Sequence, residues 1–151
     1  MEETDLWSLL QIKKEDFTKY KVHFAIGGNN RKEPYNIFLI DDFKDWQERQ
    51  TQKNFGRKYV LSLIYYEKDV WMFGGLYRVL PTKPTPIEGK NGWRGWKYET
   101  ELLEKASEYI GRAFFRFKKE FRMSYTTLEL APKNGIPVSQ IPLSHILDKR
   151  V

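Results

Sequence analysis

The chain has 151 residues, with 26 Lys+Arg against 20 Asp+Glu for a formal charge of +6, and it contains no Cys. That excludes a disulfide scaffold, a cysteine-based zinc site, an iron–sulfur cluster and a cysteine nucleophile, and the length suits one domain spanning residues 1–151. Rings make up 16% of the residues, enough for a core, a stacking surface or both, and the basic excess favours nucleic acid over a membrane surface as partner.

At the amino terminus MEETDLWSLL lacks the positive segment and apolar stretch of a secretory signal. No apolar run approaches the roughly 20 residues of a membrane span, so the expected location is cytoplasmic and no membrane partner is expected. Tyr20, Val22, Phe24 and Ile26 alternate with Lys21, His23 and Ala25, the period of a half-buried strand. Gly27 to Pro34 reads as a turn into a second strand, Tyr35 to Ile40. Asp41 and Asp42 can cap a short helix with Phe43, Trp46 and Gln50 on one face. Lys58–Tyr66 and Val70–Leu80, joined by a turn at Glu67, Lys68 and Asp69, form the best hairpin and the expected central strands.

Residues Pro81 to Gly95, PTKPTPIEGKNGWRG, read as a long loop between strands. Trp96, Tyr98, Thr100 and Leu102 then alternate as one strand with a wet face. Leu103 to Ile110 fits either a helix or a loop. Arg112 to Lys118 alternates again, with Ala113, Phe115 and Phe117 on one side and Arg112, Phe114, Arg116 and Lys118 on the other. A last strand is expected from Thr126 to Leu130, and residues 132–151 form a tail or linker. The expected fold is mainly β (α+β): one domain with its core over about residues 20–130, a strongly curved antiparallel sheet or β-barrel of six or seven strands, and one or two short helices.

His23 and His145 are the only histidines and neither has a second ligand at helical or hairpin spacing, so no metal site, no cofactor and no serine or cysteine triad is expected. Gly74–Gly75 lies inside a strand, where a glycine pair marks a bulge, a bend or a close approach of backbone or ligand. Asp69 with Glu88 and Lys90 could mimic the acidic constellation of a metal-dependent phosphodiesterase. That chemistry needs Glu and Lys on a strand beside the Asp, whereas here they fall in the Pro/Gly stretch. Tyr109-Ile110-Gly111 matches one half of a GIY-YIG nuclease motif, but the Gly-Ile-Tyr half is missing about ten residues upstream. No catalytic residue is therefore assigned.

A binding surface remains. Arg112, Phe114, Arg116 and Lys118, followed by Lys119 and Arg122, combine cations that neutralise phosphates with a ring that stacks on bases. An equally weighted reading makes this a solvated face with Phe114 filling a gap under the helix. Trp93, with Trp96, Tyr77 and Trp71, could wall a pocket for one base, as readers of flipped or modified bases require. Gln47, Gln50 and Asn91 are candidates for reading base edges.

Trp46-Gln47, Gln50, Phe55, Ser62-Leu63-Ile64, Trp71 with Phe73-Gly74-Gly75, and Ile110-Gly111-Arg112 keep an order and spacing over residues 20–118. This stretch resembles the amino-terminal, non-nuclease region of bacterial GIY-YIG nuclease family proteins. The resemblance implies a module that directs a tethered nuclease domain or subunit, as in restriction and phage defence, without cutting itself. A curved β domain with an aromatic pocket is also similar, in architecture alone, to PUA-like readers of modified bases, including the EVE and SRA groups. The function expected from the sequence is a non-catalytic module that binds double-stranded DNA, with a modified or flipped base as its target. The alternatives are a phosphodiesterase using Asp69, Glu88 and Lys90, or a protein-interaction domain, and the oligomeric state is left open.

Overall fold

The computed structural model describes residues 10–40, 43, 46, 48–50, 53, 55–89, 92–116, 118–119 and 125–128. Among the described residues, nine strands in two sheets make the fold mainly β, with short helices as the exception. Among the described residues no helix is long and apolar enough to cross a membrane.

The expected hairpin is the centre of the molecule. Strands β3 (Tyr59–Glu67) and β4 (Val70–Val79) pair antiparallel, turning through Lys68 and Asp69. Asp69 takes a left-handed φ of 59°, a conformation that a short polar side chain tolerates. Val60 to Ile64 and Val70 to Tyr77 are buried without alternation, because both faces of the sheet are covered. Strand β1 (Tyr20–Ala25) lies against β3 in parallel, Tyr20 opposite Tyr59 and Ala25 opposite Ile64. The sheet is therefore mixed rather than antiparallel. A parallel pair needs a crossover connection, and residues 26–58 supply it.

That crossover corrects the second expected strand. Residues Glu33–Leu39 form helix α1, with Pro34 in its first turn, where the ring fixes a helical φ and the missing N–H is not needed. Tyr35 and Phe38, three residues apart, both turn toward the sheet, Tyr35 meeting the Tyr66 ring at 5.3 Å and Phe38 joining the buried cluster of Ile64 and Met72, where it meets Phe43 at 6.1 Å. Phe43 and Trp46 are helical as expected, while Asp41 and Asp42 lie outside the described residues. Gln50 is not helical: it belongs to the two-residue strand β2 (Arg49–Gln50).

The Pro/Gly stretch is not a loop. It folds as a hairpin of β5 (Thr85–Glu88) and β6 (Arg94–Lys97), and β6 also pairs with β2, giving a three-stranded sheet in the order β2-β6-β5. Pro86 is tolerated because β5 is an edge strand with a side free of ladder bonds. The single strand expected through Trp96, Tyr98, Thr100 and Leu102 is split, since β7 (Thr100–Leu102) leaves the small sheet and pairs with β4. Glu48 fixes the break: its backbone carbonyl accepts from Tyr98 N–H at 2.9 Å, and its buried carboxylate accepts from the Thr100 N–H and hydroxyl.

The large sheet runs β7-β4-β3-β1-β9, with β9 (Tyr125–Thr127) antiparallel to β1. Its end strands β7 and β9 do not pair, so among the described residues it does not close into a barrel. Strand β8 (Phe114–Arg116) shares the outer edge of β4 with β7, taking Val70–Met72 while β7 takes Tyr77–Val79. Between them sits the bulge that the glycine pair forecasts: Ser62 faces Gly75 and Leu63 faces Phe73, leaving Gly74 unpaired. The Tyr77 hydroxyl donates to the Gly74 carbonyl at 2.8 Å and ties the bulge down. Of Leu103 to Ile110, only Ser107–Tyr109 is helical, as one 3₁₀ turn.

One face of the sheet buries Val22, Phe24, Leu61, Leu63, Trp71 and Phe73. The other face divides into a cluster under α1, with Ile64, Met72 and Phe114, and a cluster under the small sheet, with Phe55, Val60, Tyr77 and Tyr98. Each fully buried large side chain contributes about 1.5–3 kcal/mol.

Gly75 has φ +119°, and a Cβ there would press on Leu102, Tyr77 and Ile110 at 3.0–3.3 Å. Gly75→Ala is expected to cost about 1–3 kcal/mol and to lower Tm by about 2–4 °C per kcal/mol; an unchanged thermal melt would contradict the bulge. Burial first, and the Glu48 carboxylate second, raise the Tyr77 phenol above its ordinary value. The unfolded chain releases that proton near pH 10 while the folded chain holds it. The stability it contributes is therefore complete below about pH 10 and is lost as the pH rises further. Tyr77→Phe should flatten the alkaline fall of Tm, and an identical fall in both proteins would refute this.

Candidate nucleic-acid interface

The β5–β6 hairpin presents Trp93 in a seat made from its own backbone. Gly89 N–H donates to the Trp93 carbonyl at 2.7 Å, closing the hairpin. A Cβ on Gly95 would lie 2.4 Å from Trp93 Cη2 and 2.5 Å from the Gln50 carbonyl oxygen of β2, and one on Gly89 would lie 3.0 Å from Cε3. Any side chain at Gly95 would displace the indole, so the ring lies directly on the glycine. Trp93 is half-buried and belongs to none of the three core clusters.

Strand alternation then fixes its neighbours. Gly95 and Lys97 share a face of β6, and Arg49 stands directly opposite Lys97 on β2. Trp93, Lys97 and Arg49 thus occupy one face of the small sheet. Gln50 and Trp96 occupy the other, where Gln50 is buried and hydrogen-bonded to the Tyr98 side chain. Trp96 is half-buried against the Phe55–Tyr98 cluster, with the Lys53 ammonium 5.2 Å from its ring. Pro86, Glu88, Arg94 and Trp96 border an open depression of about 530 Å³, with Arg94 and Glu88 paired at 3.6 Å.

A second basic group adjoins the small sheet. The Tyr125 hydroxyl donates to the Arg49 carbonyl at 3.1 Å, and the same ring lies 5.8 Å from the Lys21 ammonium, which sits 4.5 Å from Phe55. Burial first, and the Arg57 guanidinium second, hold Lys21 below the ordinary lysine value. His23, two residues along β1 from Lys21, stacks against Tyr125 with ring centroids at 4.5 Å.

The residues expected from the sequence are only partly brought together. Arg112, Arg116 and Lys118 are exposed, and Arg112 reaches the Glu108 carbonyl at 3.4 Å. Phe114 is not on their surface: it is buried against Ile64 and Met72 and meets the Tyr66 ring at 4.7 Å, because both faces of β8 are covered. Lys119 is half-buried with its ammonium 5.2 Å from Phe24, and burial lowers its pKa. Trp71 and Tyr77 are core residues rather than pocket walls. Gln50 is engaged with Tyr98 inside the protein. Gln47, Asn91 and Arg122 lie outside the described residues. Since β8 and β7 pair with opposite ends of β4, and the small sheet joins the chain beside β7, the β8 cations and Trp93 are set apart.

The phosphodiesterase constellation does not assemble from its described members. Asp69 lies in the β3–β4 turn of the large sheet, while Glu88 is on β5 of the small sheet, a strand and not a loop, paired with Arg94. Lys90 and His145 lie outside the described residues, among which no cluster of three metal-ligating side chains occurs. Compared with known proteins, the chain matches no family model, no curated protein and no solved structure.

Sequence reasoning missed the Arg49–Lys97 apposition because β2 is two residues long and its partner lies in an apparent loop. The glycine seat of Trp93 was missed as well; the signal that could have shown it is the pair of glycines at 89 and 95 flanking the ring. Gly95→Ala should unseat the indole, shifting tryptophan emission to the red and lowering Tm, whereas Gly28→Ala, with open space around it, should do neither. Equal emission spectra for Gly95→Ala and the unaltered protein would contradict the seat.

Proposed function

We propose that this chain is a non-catalytic DNA-binding module that offers a stacking platform to one extruded or modified base, serving a restriction or defence nuclease tethered to it or bound beside it. The observation that carries this reading is Trp93, seated on glycine, outside the core, on a sheet face shared with two cations. Stacking one base on an aromatic ring is worth about 1–3 kcal/mol, comparable to the few kcal/mol needed to unstack a base from a duplex. The platform offsets the cost of extrusion, and phosphate contacts supply the net affinity. The net charge of +6 suits that requirement. The likeness of residues 20–118 to the leading region of GIY-YIG nuclease proteins supports a nuclease partner, and a PUA-like relationship is part of the same proposal.

The test is fluorescence anisotropy of labelled duplex DNA, unmodified or carrying methylated adenine or cytosine, at two salt concentrations without metal. Binding should weaken with salt and favour one modified duplex, and Trp93→Ala should reduce affinity by roughly 5- to 150-fold. No binding at low salt would overturn the reading.

A further inference from the structure

We infer that Tyr35 and Tyr66 form a seat for a methylated ammonium group, and that the chain's own Lys32 competes for it. The seat belongs to α1 and the large sheet, not to the small sheet that carries Trp93, and it does not depend on the DNA-binding reading.

The two rings come from different elements, Tyr35 from α1 and Tyr66 from the end of β3. Their planes meet at 80° with centroids 5.3 Å apart, so together they make a corner. The core sets the shape of that corner. Tyr66 meets the buried Phe114 ring at 4.7 Å, and both tyrosines pack against the cluster of Phe38, Ile64 and Met72. Each is half-buried, with one side held by the protein. Lys32, the residue that precedes α1, reaches over both rings. Its ammonium lies 4.9 Å from the Tyr66 centroid and 5.5 Å from that of Tyr35. Both distances fall within the roughly 6 Å over which a ring face attracts a cation. The corner thus already has the geometry of a cation site with two aromatic walls.

The chemistry of Lys32 makes it a replaceable occupant. A primary ammonium is a compact, strongly hydrated charge, and Lys32 is exposed, so much of its hydration competes with the rings. Among the described residues it forms no ion pair that would hold it in place. Its side chain is not part of the cluster beneath, so its departure leaves the corner standing. Methylation keeps the charge of an ammonium while covering its N–H donors with apolar surface. Less hydration is then lost on entering, and the methyl groups gain contact with ring carbons. Aromatic walls recognise quaternary ammonium groups on this basis. A methylated lysine side chain and a choline headgroup share that chemistry.

The experiment titrates the full chain with tetramethylammonium, Nε-trimethyllysine, choline and unmethylated lysine, and follows the probes by proton NMR. Methyl protons seated over ring faces move upfield, which a loose charge contact does not produce. The methylated probes should show this shift, and lysine should bind at least about tenfold more weakly. Lys32→Ala should tighten binding by about three- to tenfold, because a seat filled by its own lysine is open only part of the time. A gain of affinity is not produced by damage to the fold. Tyr35→Leu, which keeps an apolar side chain on the helix, should abolish the shift, while Trp93→Ala should leave it intact. Tighter binding of trimethyllysine than of choline would assign the group to a modified protein side chain, and the reverse to a choline headgroup; either order supports the seat. No upfield shift with the unaltered protein or with Lys32→Ala would overturn the inference. Equal or weaker binding by Lys32→Ala, or a shift that survives Tyr35→Leu and disappears with Trp93→Ala, would overturn it as well.

Discussion

The parallel pairing of β1 with β3 sets the terms for the rest of the molecule. Parallel neighbours cannot be joined by a tight turn, so the chain must leave the sheet after Ala25 and return at Tyr59. The intervening segment covers a face of the sheet as it goes. Its first half buries Tyr35, Phe38 and Phe43 over Ile64 and Met72. Its second half lays down β2, which recruits the β5–β6 hairpin into a second sheet. Tyr20–Ala25 therefore has covered faces on both sides despite an alternating sequence.

The small sheet is tied to the large one by polar contacts as much as by rings. Glu48 holds the junction where β6 ends and β7 begins, and Tyr77 below it pins the Gly74 bulge. The bulge lets two short strands, β8 and β7, share one edge of β4. What the small sheet turns outward is the surface that no core residue needs: Trp93 on its glycine seat, with Arg49 and Lys97 beside it. Fold and candidate site are thus linked through one crossover, and loss of β2 would remove both a core cover and half of a charge pair.

Much of this was legible from the residues. The β3–β4 hairpin announced itself because Val, Ile, Leu and aromatic side chains fill both of its faces, and the glycine pair marked the bulge. Helix α1 was not, because seven residues hold too few turns for a period of 3.6 to stand out from a period of 2. Pro34 read as the end of a turn, yet proline suits the first turn of a helix equally. The β5–β6 hairpin was hidden by prolines that an edge strand tolerates. For Phe114 alternation left two readings of equal weight, a stacking ring or a side chain filling a gap under the helix, and the packing of Phe38 and Phe43 over Ile64 and Met72 decides for the second. Trp93 stands outside the core clusters, and its neighbours on the sheet face depend on strand register, which spacing within one segment does not encode.

The central proposal is that a base of DNA stacks on Trp93, on the face of the small sheet that carries this ring. Hydrogen–deuterium exchange of the full chain with and without duplex DNA tests it most directly, because it reports the contacted backbone without altering a residue. Slower exchange on binding is predicted at Arg49–Gln50 and across Thr85–Lys97, with Phe114–Arg116 unchanged. Protection confined to Phe114–Arg116 and its flanks, with none across the small sheet, would contradict the account.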